Sequence, residues 1–314
     1  MKTTAARLVA HGEPLSVEEV DLAQPGEGEV VVEMAFGSVN PVDRYGALGR
    51  VAPDGPLPRT LGQEGSGTLD GRPVVVAGEG LALTRDGVWS RLAVVPRSAL
   101  TPVPDGVPLE KAAAIGIAGV TAWRTVVELG GVGPDDRVLV LGAGGGVGHV
   151  VVSLAARLGA RVWGQVGSGA KVGFVKELGA EHVIVGDASA VAAQARELRP
   201  TVVLDPLGDG FTGAAVEVLA RRGRLVLFGT SADARGEIPL QALYRNGLVV
   251  QGYGGLGEPD EVLADRRRVA LQALAEGKFD IVVDTVLPLA QVNEAFQLLV
   301  GRGVKGKVVL DARS

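Results

Sequence analysis

An α/β chain, in which a doubly wound parallel sheet is inserted into a second, mostly β domain, is the fold class this sequence predicts. Three observations carry the prediction. From Arg137 onward, short apolar runs alternate with helix-like stretches, the pattern of βαβ units around a parallel sheet. The first apolar run ends in a dense glycine turn, Leu141-Gly142-Ala143-Gly144-Gly145-Gly146-Val147-Gly148. Upstream, Gly and Pro punctuate β-rich runs, and one more apolar run, 307–310, stands far downstream.

Taken in order, residues 29–35, 73–76 and 91–95 are the β-rich runs of an all-β module. Val138-Leu139-Val140-Leu141 is continuously apolar, as expected of a strand covered on both faces. A helix follows over 146–158, closed by Gly159. Next come a strand over 161–166 and a helix over 170–178, stopped by Gly179. Further strands are expected at 182–185, 201–205, 224–228 and 248–251, with helical stretches between most of them. Six parallel strands with crossover helices match the doubly wound dinucleotide arrangement. Residues 260–276 and 289–300 read as helices, and 307–310 as a closing strand. A strand so late is expected to return to the N-terminal module. The inserted domain is therefore assigned to 119–254, and the outer one to 1–118 with 255–314.

A length of 314 residues is long for one core and comfortable for two. Apolar residues at 46% and charged residues at 21% give a soluble globular balance. The net charge of −5 and the shortness of the Arg221-Arg222 and Arg266-Arg267-Arg268 clusters argue against nucleic acid as a partner, since phosphate binding needs clustered cations. Both clusters read as solvated helix faces. No uncharged apolar run reaches the roughly 18 residues of a membrane span, and residues 1–9 hold no signal-peptide core. There are no cysteines, which excludes disulfides, thiolate metal sites and cysteine nucleophiles. A cytoplasmic location is expected.

The glycine turn is the strongest functional signal. The G-x-G-x-x-G spacing is met with alanine in first place, as Ala143, Gly145 and Gly148, with Gly144, Gly146 and Val147 between. The first position makes the tight turn, Gly145 admits a pyrophosphate to the backbone, and Gly148 lets the helix pack on the sheet. The helix N-terminus then presents free N–H groups and the positive dipole end to phosphate. A glycine turn alone is a weak signal; here it follows a buried-type strand and opens an amphipathic helix. A site that prefers NAD carries an acidic residue at the end of the second strand. Here that stretch is Val162 to Ser168 with no carboxylate, and Lys171 follows. Gly167, Ser168 and Lys171 suit a 2′-phosphate, hence NADPH; an ordinary exposed lysine is the competing reading of Lys171.

These residues, with Gly37-Ser38-Val39-Asn40-Pro41-Val42-Asp43, Leu61-Gly62-Gln63-Glu64, Ala112-Ala113-Ala114 before Gly119-Val120-Thr121-Ala122, Asp205-Pro206-Leu207-Gly208 and Phe228-Gly229-Thr230, resemble the medium-chain dehydrogenase/reductase superfamily. Within it the resemblance is to the zinc-independent quinone oxidoreductases, the ζ-crystallin group, and it runs over most of the chain. It implies a Rossmann domain inserted into a GroES-like catalytic domain, NADPH as cofactor, and a homodimer. In the zinc branch a cysteine belongs in the Asn40 segment and a histidine where Gln63 stands. Neither is present, and His11, His149 and His182 match no ligand position, so no metal is expected. A structural role is expected of His149.

The resemblance implies further roles residue by residue. Asn40 lies at the nicotinamide and substrate end, Tyr45 borders the substrate space, and Thr121 contacts the cofactor. Asn40 precedes Pro41, which suits a rigid turn with its amide free to donate; a plain cap or turn competes. For Tyr45 a packed rim aromatic competes with a proton donor. Asp205 either borders the cofactor crevice or forms an Asx turn before Pro206. Phe228, Gly229 and Thr230 end the fifth strand near the carboxamide. Arg302 matches an arginine that reaches the 2′-phosphate, against a solvated helix end. Three departures stand out: Gly186 replaces a tyrosine after the third strand, the segment 68–72 is short, and the loop 77–88 is atypical. The expected activity is hydride transfer to a quinone or another conjugated carbonyl. The alternatives are an enoyl or alkenal reductase of a biosynthetic pathway, and a NADPH-binding protein of low activity.

Overall fold

The computed structural model describes residues 1–314 and divides into two compact units. One comprises 1–120, 258–276 and 281–314; the other comprises 121–257 and 277–280. The boundaries lie two or three residues past those set from the sequence, and the nucleotide unit takes back the short piece 277–280.

The nucleotide unit is built on six parallel strands. In spatial order they are His182–Val185, Arg161–Val166, Arg137–Val140, Val202–Asp205, Arg224–Leu227 and Val249–Gly252. The chain order is thus 3-2-1-4-5-6, and direction reverses between the first and fourth strands, where a doubly wound sheet opens its binding crevice. Leu139, Leu141, Ile184, Val203 and Leu225 point into one apolar layer against Val191, Ala195 and Leu198 of Ala188–Leu198 and Ala215 of Asp209–Val218. The helix Gly148–Arg157 is buried along its length from Gly148 to Ala155. Gly159, at φ +86°, ends that helix, and Gly179, at φ +111°, ends Val172–Glu177, both in a backbone region that disfavours side chains.

The outer unit is mostly β, built around the long strand Glu29–Val39, with the helices Pro41–Ala47, Asp260–Ala275 and Val292–Gly301 added to it. This strand pairs antiparallel with Glu64–Leu69, Leu92–Pro96 and the closing strand Lys307–Asp311, with Val308 opposite Val39 and Leu310 opposite Gly37. A separate three-stranded sheet joins Ser16–Asp21, Lys2–Leu8 and Arg59–Thr60. The core gathers Leu8, Met34, Val76, Val88 and Trp89. The Trp89 ring lies directly on the α-carbons of Gly37 and Gly62, where any Cβ would overlap it. The ring thereby fixes the strand end that leads to Asn40 and the segment that leads to Gln63.

Six strands, Lys2–Leu8, Ser16–Asp21, Arg59–Thr60, Glu64–Leu69, Leu100–Pro102 and Val283–Pro288, were not legible in the sequence. Glu64–Leu69 is Glu-Gly-Ser-Gly-Thr-Leu, which has little β-propensity. Its glycines are there because a Cβ at Gly65 or Gly67 would run into the backbone of Phe36 or Glu33. The arginine cluster 266–268 also needs correction as a uniformly solvated face. Arg267 is 2% exposed, within the helix Asp260–Ala275, and its Nε donates to Thr101 Oγ1 at 3.3 Å.

Candidate active site

The glycine turn leaves the strand Arg137–Val140 and enters the helix Gly148–Arg157. Gly142 N–H donates to Gln165 Oε1 at 2.9 Å, Ala143 N–H to the Gln165 carbonyl at 2.8 Å, and Gly145 N–H to the Gly142 carbonyl at 2.9 Å. A Cβ at Gly148 would overlap the Gly142 carbonyl oxygen, so helix and turn touch through bare backbone. The hydrogen bonds at the turn leave the amides of Gly144, Gly146 and Val147 unused, and no side chain caps the helix. Such donors at the positive end of a helix are able to take up a phosphate.

His149 is fully buried, and its Nδ1 donates to the Gly145 carbonyl at 2.9 Å, which also accepts the His149 N–H at 3.1 Å. It braces the turn from below, as the structural reading expects. Lys171 lies alongside. Its Cδ is 2.9 Å from where a Cβ on Gly144 would sit, so its stem fills the space that the glycine leaves. Gly167 and Ser168 are exposed at the end of Arg161–Val166, and Ser168 Oγ accepts from Ala170 N–H at 3.3 Å. Uncommitted amides, a lysine over the turn and an exposed serine ending a stretch, 162–168, without a carboxylate fit a phosphorylated dinucleotide.

Asp205 is fully buried. Its Oδ1 accepts from Leu207 N–H at 2.7 Å and Gly208 N–H at 3.2 Å, and its Oδ2 accepts from the Thr212 hydroxyl at 2.7 Å. Burial raises its pKa against those three donors. Of its two sequence readings, the geometry is that of the Asx turn: the carboxylate shapes the loop and offers no free oxygen to a cofactor. That loop brings Leu207 and Pro206 beside Gly142 and Gly208 beside Thr230. Phe228 N–H donates to the Asp205 carbonyl at 2.9 Å, and a Cβ at Gly229 would strike the Pro206 backbone. Thr121 sits in the short helical segment Val120–Trp123, its carbonyl accepting from Thr125 Oγ1 at 2.8 Å.

The outer unit holds a buried polar cluster. Asn40 caps the helix Pro41–Ala47 through its backbone, with Asp43 Oδ2 accepting Asn40 N–H at 2.9 Å and Asp43 Oδ1 accepting Gln63 N–H at 3.1 Å. The Asn40 side chain goes elsewhere. Its Nδ2 donates to Glu64 Oε1 at 2.8 Å, and its Oδ1 accepts from Lys307 Nζ at 2.6 Å. The expectation of a wholly free amide is corrected, because one N–H is already engaged. Glu64 Oε2 accepts Ile117 N–H at 2.8 Å, and the Lys307 ammonium stands 3.8 Å from Glu64 Oε1. Burial pushes the Asp43 carboxyl up to about 7, with the neighbouring Glu64 charge adding to the rise, and burial lowers the Lys307 pKa.

Tyr45 is half-buried on the same short helix, and its hydroxyl takes no partner in the chain. Arg302 ends the helix Val292–Gly301 at φ +54°, donating its N–H to the Leu299 carbonyl at 3.3 Å. Its observed role is a left-handed helix cap. The nucleotide unit thus assembles residues 143–148, Gly167, Ser168, Lys171, Asp205, Phe228, Gly229, Thr230 and Thr121, while Asn40, Tyr45 and Arg302 belong to the outer unit. Sequence reading missed Gln165, Glu64 and Lys307 as site residues. The signal for the last two was a charged residue at the start of each strand, ahead of a run of small residues in one and of apolar residues in the other.

A family described as zinc-binding dehydrogenase matches residues 146–265. The chain is 31% identical over 317 residues to a phenolphthiocerol/phthiocerol polyketide synthase polypeptide of Mycobacterium tuberculosis, covering 94% of this chain and 14% of that protein. The chain therefore spans about one seventh of the length of the first curated relatives it matches. A crystal structure of an NAD-dependent alcohol dehydrogenase superposes with a TM-score of 0.88 at 30% identity, over 98% of this chain and 99% of that one. The quinone oxidoreductase from Thermus thermophilus, solved also with NADPH, gives a TM-score of 0.85 at 29% identity, over 98% and 99%. The chain belongs to the medium-chain dehydrogenase/reductase superfamily, in its quinone oxidoreductase-like group. The family is one of oxidoreductases, and no helix of the chain is long and apolar enough to cross a membrane.

The family description raises zinc, and the residues present do not fit it. A catalytic zinc needs three good ligands and an open position. The part matched by that family begins at residue 146, beyond the segments where ligands belong. There Asn40 Oδ1 is already held by an ammonium at 2.6 Å, and Gln63 stands in the histidine's place.

Proposed function

We propose that this chain is a zinc-independent, NADPH-dependent reductase of quinones or other conjugated carbonyls. The observation that carries the proposal is the set of unused amides at 144, 146 and 147 with Lys171 laid over Gly144, beside a strand end without a carboxylate. The relatives' names divide between NAD and NADPH, and that strand end favours the 2′-phosphate. When bound, NADPH supplies a hydride. The cradle amides and Lys171 hold its phosphates. Asn40 offers its second Nδ2–H to the acceptor oxygen, where charge develops, and Tyr45, whose hydroxyl is unpartnered, is the candidate proton donor. The Lys307 side chain engages Asn40, in the segment that carries a ligand in the zinc branch. Turnover of a panel of quinones, enals, enones and ketones with NADPH and with NADH tests this; no turnover of any acceptor, or a clear preference for NADH, defeats it.

The similarity to a stretch of a polyketide synthase favours a second reading, reduction of an enoyl C=C bond in a biosynthetic sequence. Saturation by an enone, release of the saturated product and poor quinone turnover would select it. A homodimer through the edge strand Val249–Gly252 belongs to the same proposal. Val249 is 51% exposed there, with Tyr244 at 69% and Leu240 at 68% on the preceding helix, and an open apolar edge invites pairing. A cytoplasmic location completes it.

A further inference from the structure

An asparagine amide can be turned over without changing its shape, so its orientation is set by the groups at its two ends. Around Asn40 those groups are of opposite and unambiguous kind. Lys307 Nζ donates only, and it meets Oδ1 at 2.6 Å. Glu64 Oε1 accepts, and it meets Nδ2 at 2.8 Å. Turning the amide over would set N–H groups against the ammonium and an oxygen against the carboxylate. Both partners are themselves fixed: Lys307 also donates to the Val39 carbonyl at 3.3 Å, and Glu64 Oε2 holds Ile117 N–H at 2.8 Å. All three side chains are buried, Glu64 completely.

Such a cluster is costly to bury, and apolar residues would pack as well. Stability alone does not explain it. Orientation does, because Nδ2 carries two hydrogens and only one has an acceptor in the chain. A buried donor left over in a satisfied network calls for a ligand. We propose that Lys307 and Glu64 are positioning residues that lock the Asn40 carboxamide in one orientation, leaving a single Nδ2–H directed at the oxygen of a bound carbonyl acceptor. The lock rests on the chain's own contacts; its catalytic effect rests on the donor role assigned to Asn40 above.

The test uses the full chain and the charge-balanced double variant Lys307→Met with Glu64→Gln, which removes both signs at once and avoids a lone buried charge. The side-chain N–H resonances of Asn40 in ¹⁵N-labelled protein, without cofactor, read the lock directly. In the parent the hydrogen bonded to Glu64 is expected to exchange slowly with solvent and the other more quickly; in the double variant both should exchange quickly. Unchanged signals would overturn the lock. With NADPH and 1,4-benzoquinone, the double variant should lose about 100-fold in kcat, the scale of one oxyanion donor, with KM for NADPH within about twofold and Lys307→Arg restoring most of the loss. A kcat within about threefold of the parent, where Asn40→Ala itself loses about 100-fold, overturns the positioning role. If Asn40→Ala keeps full kcat, the donor role fails instead, and the resonances still decide the lock.

Discussion

Gln165 Oε1 accepts the Gly142 amide hydrogen at 2.9 Å, so the glycine turn begins on a side chain of the neighbouring strand. The other end of the same amide donates to the Gly186 carbonyl at 2.6 Å. One 2%-exposed side chain therefore ties together the exits of the first three strands. Gln165→Leu keeps the volume and leaves both backbone groups without a partner, at about 1–3 kcal/mol each. Unfolding free energy should fall by about 2–4 kcal/mol, and the Kd for NADPH should rise about tenfold as the cradle loosens. Denaturant melts and calorimetric titration check both. An unchanged Kd would mean that the turn holds its shape without this tie.

The parallel sheet was legible because its strands are continuous apolar runs, such as Val138-Leu139-Val140, and because glycines mark the helix ends. The glycine turn was legible for the same reason: its shape is set by the backbone, and glycine spacing reports backbone. The outer unit was harder. Strand Glu64–Leu69 exists because its glycines let two backbones approach, a tertiary requirement that no local pattern displays. The Asn40–Glu64–Lys307 cluster brings Lys307 to Asn40, 267 positions earlier, through the pairing of Val308 with Val39, so only the folded register assembles it. Asp205 was visible as a candidate but not in its role, because the three donors that absorb it come from its own loop and Thr212.

Lys171 is expected to discriminate between the two dinucleotides. Lys171→Ala should weaken NADPH binding by about 1.5–3 kcal/mol, the worth of a charge-assisted contact, and leave NADH within about twofold. Titration of each cofactor into parent and variant gives the comparison. Equal losses for both would remove the 2′-phosphate assignment.

Dialysis against a strong chelator should leave NADPH-dependent turnover unchanged, because the ammonium of Lys307 already holds Asn40 Oδ1. Metal analysis before and after dialysis accompanies the assay. Activity lost on dialysis and restored by zinc would overturn the metal-free assignment.

The exposed edge at Val249–Gly252 should pair with a second copy. Light scattering on the parent is expected to give twice the 32.1 kDa chain mass. Val250→Lys, which places a charge on that edge, should shift it to the monomer while the melting temperature changes little. A monomeric parent would remove the dimer.

Asp43 links the buried cluster to stability. Its folded-state pKa is about 7, raised chiefly by burial, against about 3.9 in an unfolded chain. Between those values the folded protein keeps a proton that the unfolded chain has released. Stability from this group is therefore greatest at acid pH, falls as pH rises from about 4 to about 7, and is level above. The full shift corresponds to about 4 kcal/mol, an upper bound for a site that can relax. Asp43→Asn removes the titration. Measured by denaturant unfolding at pH 4.5 and 7.5, the parent should lose about 2–4 kcal/mol more than the variant over that interval. Other groups titrate in both proteins, so the difference between the two pH dependences isolates Asp43. Parallel curves would mean that Asp43 ionises normally in the fold, its two backbone donors, Asn40 and Gln63, outweighing burial.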